Sequence, residues 1–177
     1  MIGKRTHTCG ELREGDISRN VVLKGWVENR RDHGGVIFID LLDRWGKTQV
    51  KFHPDKGADF FAEAEKIRIQ SVVAVEGEVV PRLEGRENPK LDTGKIEVDC
   101  TAVSILNHCE TPPFEPSEYT DAGEEIRLQY RFLDLRRPPV QKNMILRSKA
   151  AYVVRDYFYR KNFVEIETPF LTKSTPE

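Results

Sequence analysis

Between residues 20 and 106 the apolar positions recur mostly at the short periods of β-strands. Val21–Val27 mixes apolar and polar positions around one glycine, Gly25. Val36–Leu41 follows Gly34-Gly35, a flexible turn signal. Thr48–Phe52 alternates strictly, with Thr48, Val50 and Phe52 on one face and Gln49 and Lys51 on the other. Trp45-Gly46 marks the turn before it. Val72–Val80 is another strand, and Lys95–Leu106 a long last one. One helix interrupts them: Ala58–Lys66 leads Phe61, Ala64 and Ile67 at helical spacing, with Asp59 near its positive end. Three strands, a helix and two strands in roughly 90 residues predict a five-stranded Greek-key β-barrel of the OB-fold type. Gly25 and Gly77 suit the bends of such a barrel.

The pattern then changes. Pro112, Pro113 and Pro116 stand among acidic residues without periodicity, which reads as a stiff linker. Leu146, Ala150, Val153, Val154, Tyr157 and Phe158 form one apolar stripe on a helix expected from about Pro139 to Lys161. Pro139 suits its first turn and Asn162 its stop. Phe163–Glu167 alternates as a short strand. One helix and one strand cannot close a core. The expected organisation is therefore a barrel at 1–106, a Pro-rich acidic linker at 107–123, and the α/β start of an incomplete domain at 124–177. A longer protein is expected around the chain.

Composition narrows the function. The 177 residues carry 28 Lys and Arg against 29 Asp and Glu, a net charge of -1 that argues against a strongly basic, non-specific nucleic-acid binder. The charge is unevenly placed. Glu110–Glu125 is acidic and Arg127–Lys161 mostly basic, so a basic surface is still available. Mean hydropathy is -0.54, and no apolar run approaches the ~18 residues of a membrane span. The first ten residues lack the apolar core of a secretory signal, and three cysteines without paired spacing suit a reducing cytoplasm.

Candidate chemistry begins on Val36–Leu41. Ile37, Ile39 and Leu41 share one face; Val36, Phe38 and Asp40 share the other. With the aliphatic face as core, Phe38 lies outside, near Gln49 and Lys51, where an aromatic ring can stack an unpaired base and an amide can read its edge. The run Asn29-Arg-Arg-Asp-His33 leads into the same strand and could supply phosphate or base contacts. The pattern equally allows Phe38 in the core, with Arg30 and Arg31 in a solvated turn. His7, Cys9, Cys100, His108 and Cys109 lack the paired spacing of a zinc site, and no metal site is expected. No P-loop, GxSxG, HExxH or GxGxxG motif is present. Arg127–Pro138 interleaves Arg with apolar residues: a helix with solvated Arg, a polar anchor between domains, or a surface against RNA phosphate.

Three segments carry a resemblance: Gly25-Trp-Val-Glu-Asn-Arg-Arg-Asp-His-Gly-Gly-Val-Ile-Phe-Ile-Asp40, Tyr130-Arg-Phe-Leu-Asp-Leu-Arg-Arg-Pro138, and Phe163-Val-Glu-Ile-Glu-Thr-Pro-Phe-Leu-Thr-Lys-Ser-Thr-Pro-Glu177. Together they resemble the N-terminal portion of bacterial-type aspartyl-tRNA synthetases, of class II, over essentially the whole chain. The resemblance implies an OB-fold anticodon-binding domain followed by the opening of a class II catalytic domain. The stretch from the long helix to Pro169 is similar to class II motif 1 and implies a homodimer interface that includes Pro169. By position, Phe38 would stack on an anticodon base, and Arg31 and Gln49 would read the central uridine. Glu97 would contact the first anticodon base, Arg82 a position near the third, and Glu177 the amino group of L-aspartate. His33 and Gly85 match positions that accompany charging of tRNA-Asn as well as tRNA-Asp.

The implied whole enzyme is a cytoplasmic ligase that joins L-aspartate to tRNA through aspartyl-adenylate, with ATP and Mg2+. Its motifs 2 and 3 are not in this chain. No catalytic residue is therefore expected within it, and neither ATP nor Mg2+ is expected to bind it. Two other readings differ by what the chain would bind: a free-standing OB module taking single strands without sequence choice, or a dimerisation segment whose barrel binds no RNA.

Overall fold

The computed structural model describes residues 2–171, 173 and 174, and the chain divides into two compact units, Met1–Pro112 and Pro113–Glu177. Five strands build the first unit: β1 (Asn20–His33), β2 (Val36–Asp43), β3 (Gly46–Phe52), β4 (Val72–Pro81) and β5 (Ile96–Asn107). They close in the order β1-β2-β3-β5-β4, antiparallel except between β3 and β5. Helix α1 (Ala58–Glu65) lies between β3 and β4 in sequence. This is the five-stranded OB-type barrel expected from the strand and helix order.

Alternation places the core. Ile37, Ile39 and Leu41 of β2 and Thr48, Val50 and Phe52 of β3 are fully buried. Phe38, Gln49 and Lys51 between them are only half-buried. Ala64 and Ile67 join the same core, and Phe60 and Phe61 pack on it, with the Phe60 and Phe52 rings 5.9 Å apart. All three cysteines are free; Cys9 and Cys100 are buried. Burial pushes the Cys100 thiol up to about 12, and the Cys9 thiol rises for the same reason, reinforced by Asp43.

Closure demands near contact of two backbones at Gly77. A Cβ there would lie 2.4 Å from the Asp99 carbonyl oxygen and 2.8 Å from the Cys100 Cα. Backbone cannot yield as a flexible side chain does. Gly77→Ala is therefore expected to destabilise the barrel by ~1–3 kcal/mol in urea unfolding. Gly15→Ala, where nothing lies within 4 Å, should leave the midpoint near that of the parent chain.

β1 runs further than the apolar pattern indicated. Asn29–His33, within which one reading put Arg30 and Arg31 in a solvated turn, continues the strand and pairs with β2 from Asn29↔Asp40 to His33↔Val36. The turn is only Gly34-Gly35, with φ of 63° and 81°, the positive values a two-residue hairpin turn of the primed type requires.

The second unit holds α2 (Glu124–Gln129), α3 (Arg131–Asp134) and α4 (Pro138–Arg160). Helix α4 starts with proline in its first turn. It ends where expected: Asn162 takes φ 63°, and the Asn162 and Phe163 N–H groups donate to the carbonyls of Tyr159 (3.0 Å) and Phe158 (3.1 Å). That is a Schellman cap, and the Phe158–Phe163 ring contact at 5.3 Å completes it. The stripe Leu146, Val153, Val154, Tyr157 and Phe158 is exposed.

Two expectations need correction here. Phe163–Glu167 is not a strand, because no neighbouring strand among the described residues supplies the ladder that alternation alone cannot make. The Arg-rich run is not a simply solvated helix. Asp134, 1% exposed, pairs with Arg131 and with Arg137 Nη1 at 3.1 Å. Arg137 in turn donates to the carbonyls of Ser117 (3.1 Å) and Glu118 (3.0 Å). Ser117, Glu118, Arg131, Asp134 and Arg137 all belong to the second unit. Buried charge is retained because each group is paired. No helix among the described residues is long and apolar enough to cross a membrane.

Candidate nucleic-acid interface

The outer face of β1, β2, β3 and β5 carries a connected set of polar side chains beside one aromatic ring. Strand alternation aims Phe38 and Asp40 outward from β2, Gln49 and Lys51 from β3, and Glu97 and Asp99 from β5, since the intervening residues fill the core. β1 needs an additional device. Val27 faces the core opposite Leu41, so simple alternation would send Asn29 and Arg31 inward as well. A bulge between Val27 and Asn29 shifts the register by one residue. Asn29 then stands opposite Asp40, and Arg31 opposite Phe38, both on the outer face.

The side chains bond in series. Asn29 Nδ2 donates to Asp40 Oδ2 at 3.0 Å, and Arg31 Nη2 to Asp40 Oδ1 at 2.9 Å. Arg31 Nη2 also donates to Gln49 Oε1 at 3.2 Å. Gln49 Nε2 donates to Glu97 Oε2 at 2.7 Å, and Lys51 Nζ lies 3.2 Å from Glu97 Oε1. Arg82 donates from Nε to the Ile96 carbonyl at 3.0 Å, while its Nη2 is buried and finds no hydrogen-bond partner among the described residues. Burial lowers the pKa of Arg82; Glu97 and Asp40 oppose that, and Arg31 adds to it. The guanidinium remains a cation, so a donor without a partner sits among charged neighbours.

The Phe38 ring is half-buried and lies outside the core. Its centroid is 6.3 Å from that of His33, with the planes tilted by 59°. A partly open ring beside cations, an amide and a carboxylate offers a stacking surface and hydrogen bonds of both polarities, as an unpaired nucleotide requires.

Arg31, Gln49, Glu97 and Arg82 thus interact, and Phe38 and His33 adjoin them. Gly85 is in the β4–β5 loop at φ 75°, with open space where a Cβ would be. Its conformation, more than crowding, favours glycine. Pro169 is exposed in the second unit, on the segment after α4. Glu177 lies outside the described residues. Asn29 and Asp40 complete the network; from sequence Asn29 stood only within the basic run, and Asp40 carried no role. Asp40 was on the right face. Asn29 reaches it only through the bulge, which no glycine or proline marks. Among the described residues no group of three or more His, Cys, Asp and Glu is placed to hold a metal ion.

Residues 21–106 match the family described as "OB-fold nucleic acid binding domain", and residues 123–177 the family described as "tRNA synthetases class II (D, K and N)". The aspartate–tRNA(Asp/Asn) ligase of Rubrobacter xylanophilus is 53% identical over 173 residues, covering 98% of this chain and 29% of the relative. The ligase of the same name from Geotalea uraniireducens is 52% identical over 174 residues, with the same coverage of 98% and 29%. The chain therefore spans 29% of the length of these relatives. Among solved structures, the aspartyl-tRNA synthetase of Entamoeba histolytica aligns with a TM-score of 0.83 at 20% identity, covering 95% of this chain and 40% of the other. The asparaginyl-tRNA synthetase of Pyrococcus horikoshii complexed with asparaginyl-adenylate aligns at 0.79 with 24% identity, covering 98% and 38%. At such identities the structural likeness establishes the fold alone.

Proposed function

Because the chain belongs to the aspartyl-tRNA synthetase family, we propose that it is the anticodon-reading part of an aspartate–tRNA ligase. The observation that carries this reading is the outer-face network of Arg31, Asp40, Gln49 and Glu97 beside the half-open ring of Phe38. Phe38 stacks on an anticodon base. Arg31 and Gln49 read the central uridine, Glu97 contacts the first base, and Arg82 a position near the third. The Arg31 guanidinium, whose side chain is 45% exposed, gives the face donors for base edges and phosphate.

The whole ligase, in this proposal, acts in the cytoplasm as a homodimer. L-Aspartate's carboxylate attacks the α-phosphate of ATP, pyrophosphate leaves, and the terminal adenosine hydroxyl of tRNA takes the aspartyl group from the adenylate. Glu177 pairs with the substrate ammonium. The exposed apolar stripe on α4, with the segment through Pro169, forms the dimer contact, and residues 107–123 join the two functional parts. His33 beside Phe38, and Gly85 in the β4–β5 loop, support charging of tRNA-Asn as well as tRNA-Asp.

Competition binding tests the decoding role. A stem-loop with a GUC anticodon should displace a labelled GUC loop from the chain far better than a scrambled loop does. Equal displacement with strong salt dependence would instead indicate sequence-independent binding. Gln49→Ala should lose ~1–3 kcal/mol of discrimination at one anticodon base while binding to the scrambled loop stays the same. Charging of purified tRNA-Asn with aspartate by the full-length enzyme tests the wider specificity; charging of tRNA-Asp alone would refute it.

A further inference from the structure

Asp40 stands at the junction of the outer-face network, yet none of the roles proposed above uses it. It is 9% exposed, so its charge is largely withdrawn from water. Both oxygens are occupied: Oδ2 accepts from Asn29 at 3.0 Å and Oδ1 from Arg31 at 2.9 Å. A group so enclosed presents little surface to an incoming base. What it does instead is hold Arg31, and through Arg31 it acts on Gln49.

The Gln49 amide fits the same volume in two orientations that exchange a donor for an acceptor. Only one agrees with its neighbours. Oε1 accepts from Arg31 Nη2 at 3.2 Å, and Nε2 donates to Glu97 Oε2 at 2.7 Å. Turned over, the NH2 group would face a guanidinium and the oxygen a carboxylate. Arg31 is therefore the constraint on one side of the amide and Glu97 on the other. Glu97 is held by Lys51 at 3.2 Å, and Arg31 by Asp40.

We infer that Asp40 is a positioning residue for base selection: it fixes Arg31, and thereby the donor–acceptor pattern that Gln49 presents to the central anticodon base. This rests on the anticodon-reading proposal. The inference has a sign that a purely structural role lacks. Removing a negative charge from an RNA-facing surface favours phosphate binding of any sequence. Loss of positioning weakens only the cognate contact. Discrimination should therefore fall while binding of the wrong loop is held or increased.

The test is anisotropy competition with a GUC stem-loop and a loop in which cytosine replaces the central uridine, using the chain, Asp40→Asn and Gln49→Ala. Asp40→Asn is expected to lower the GUC-to-GCC affinity ratio about tenfold, the scale of one well-formed base contact. Its affinity for the GCC loop should equal or exceed that of the parent chain. An unchanged ratio in folded Asp40→Asn, with the ratio reduced in Gln49→Ala, would overturn the positioning role and leave the base-reading proposal standing. A parent chain without preference would overturn both. Equal losses for both loops would also overturn positioning. If Asp40→Asn does not fold, Asn29→Ala carries the test from an exposed residue. A lowered ratio then supports the inference, and an unchanged ratio overturns it.

Discussion

Phe38→Ala is expected to weaken binding of a GUC anticodon stem-loop by ~1–3 kcal/mol, the usual contribution of an aromatic ring on which a base stacks. That is roughly a 5- to 150-fold rise in Kd. The fold should survive. Phe38 is half-buried and absent from the hydrophobic core, whose β2 contribution comes from Ile37, Ile39 and Leu41. The loss of stability should not exceed about 1 kcal/mol, as for other substitutions outside a core. Isothermal titration against the stem-loop, paired with a thermal melt of the free protein, separates the two effects. Unaltered affinity in a folded variant would remove the ring from the recognition surface.

One residue along, the expected result reverses. Ile39→Ala should destabilise the barrel by ~2–5 kcal/mol, through lost burial and a cavity that a closed sheet refills poorly. Ile39 is fully buried, pairs with Val50 across the β2–β3 ladder and with Arg30 across β1. Against a typical total stability of ~5–15 kcal/mol, such a loss is large. Equilibrium urea unfolding measures it. At temperatures where the variant remains folded, stem-loop affinity should stay close to that of the parent chain. The adjacent pair thus separates recognition from stability by strand alternation alone. A stable Ile39→Ala together with an unfolded Phe38→Ala would mean that the two faces had been exchanged.

That alternation was legible in the sequence. Ile37, Ile39 and Leu41 shared one face of Val36–Leu41 and Val36, Phe38 and Asp40 the other, but which face was core stayed open until burial assigned it to the aliphatic three. The strict alternation of Thr48–Phe52 placed Gln49 and Lys51 outward on its own terms. The apolar stripe and the Asn162 stop likewise announced α4. The β1 face was different. Its outward turn at Asn29 and Arg31 depends on an inserted residue whose position is set by pairing with β2, and nothing local in Val-Glu-Asn marks it. Asp134 illustrates the same boundary. Arg and Asp in that run were visible, but their convergence on one buried carboxylate, with Arg137 reaching back to Ser117 and Glu118, is a tertiary event. Phe163–Glu167 shows the converse: alternation without a neighbouring strand yields no ladder. The roles proposed for Arg82 and Glu97 came from family resemblance, since spacing alone distinguishes neither from any other surface charge.

The most direct test of decoding by the outer face is a 1H–15N NMR titration of the chain with the GUC stem-loop. The largest shift changes are expected at Arg31, Phe38, Gln49, Lys51 and Glu97, with the Gln49 side-chain amide among them. Changes concentrated instead on the β1–β4 side of the barrel, around Lys24 and Glu76, with the Phe38 region unmoved, would contradict it.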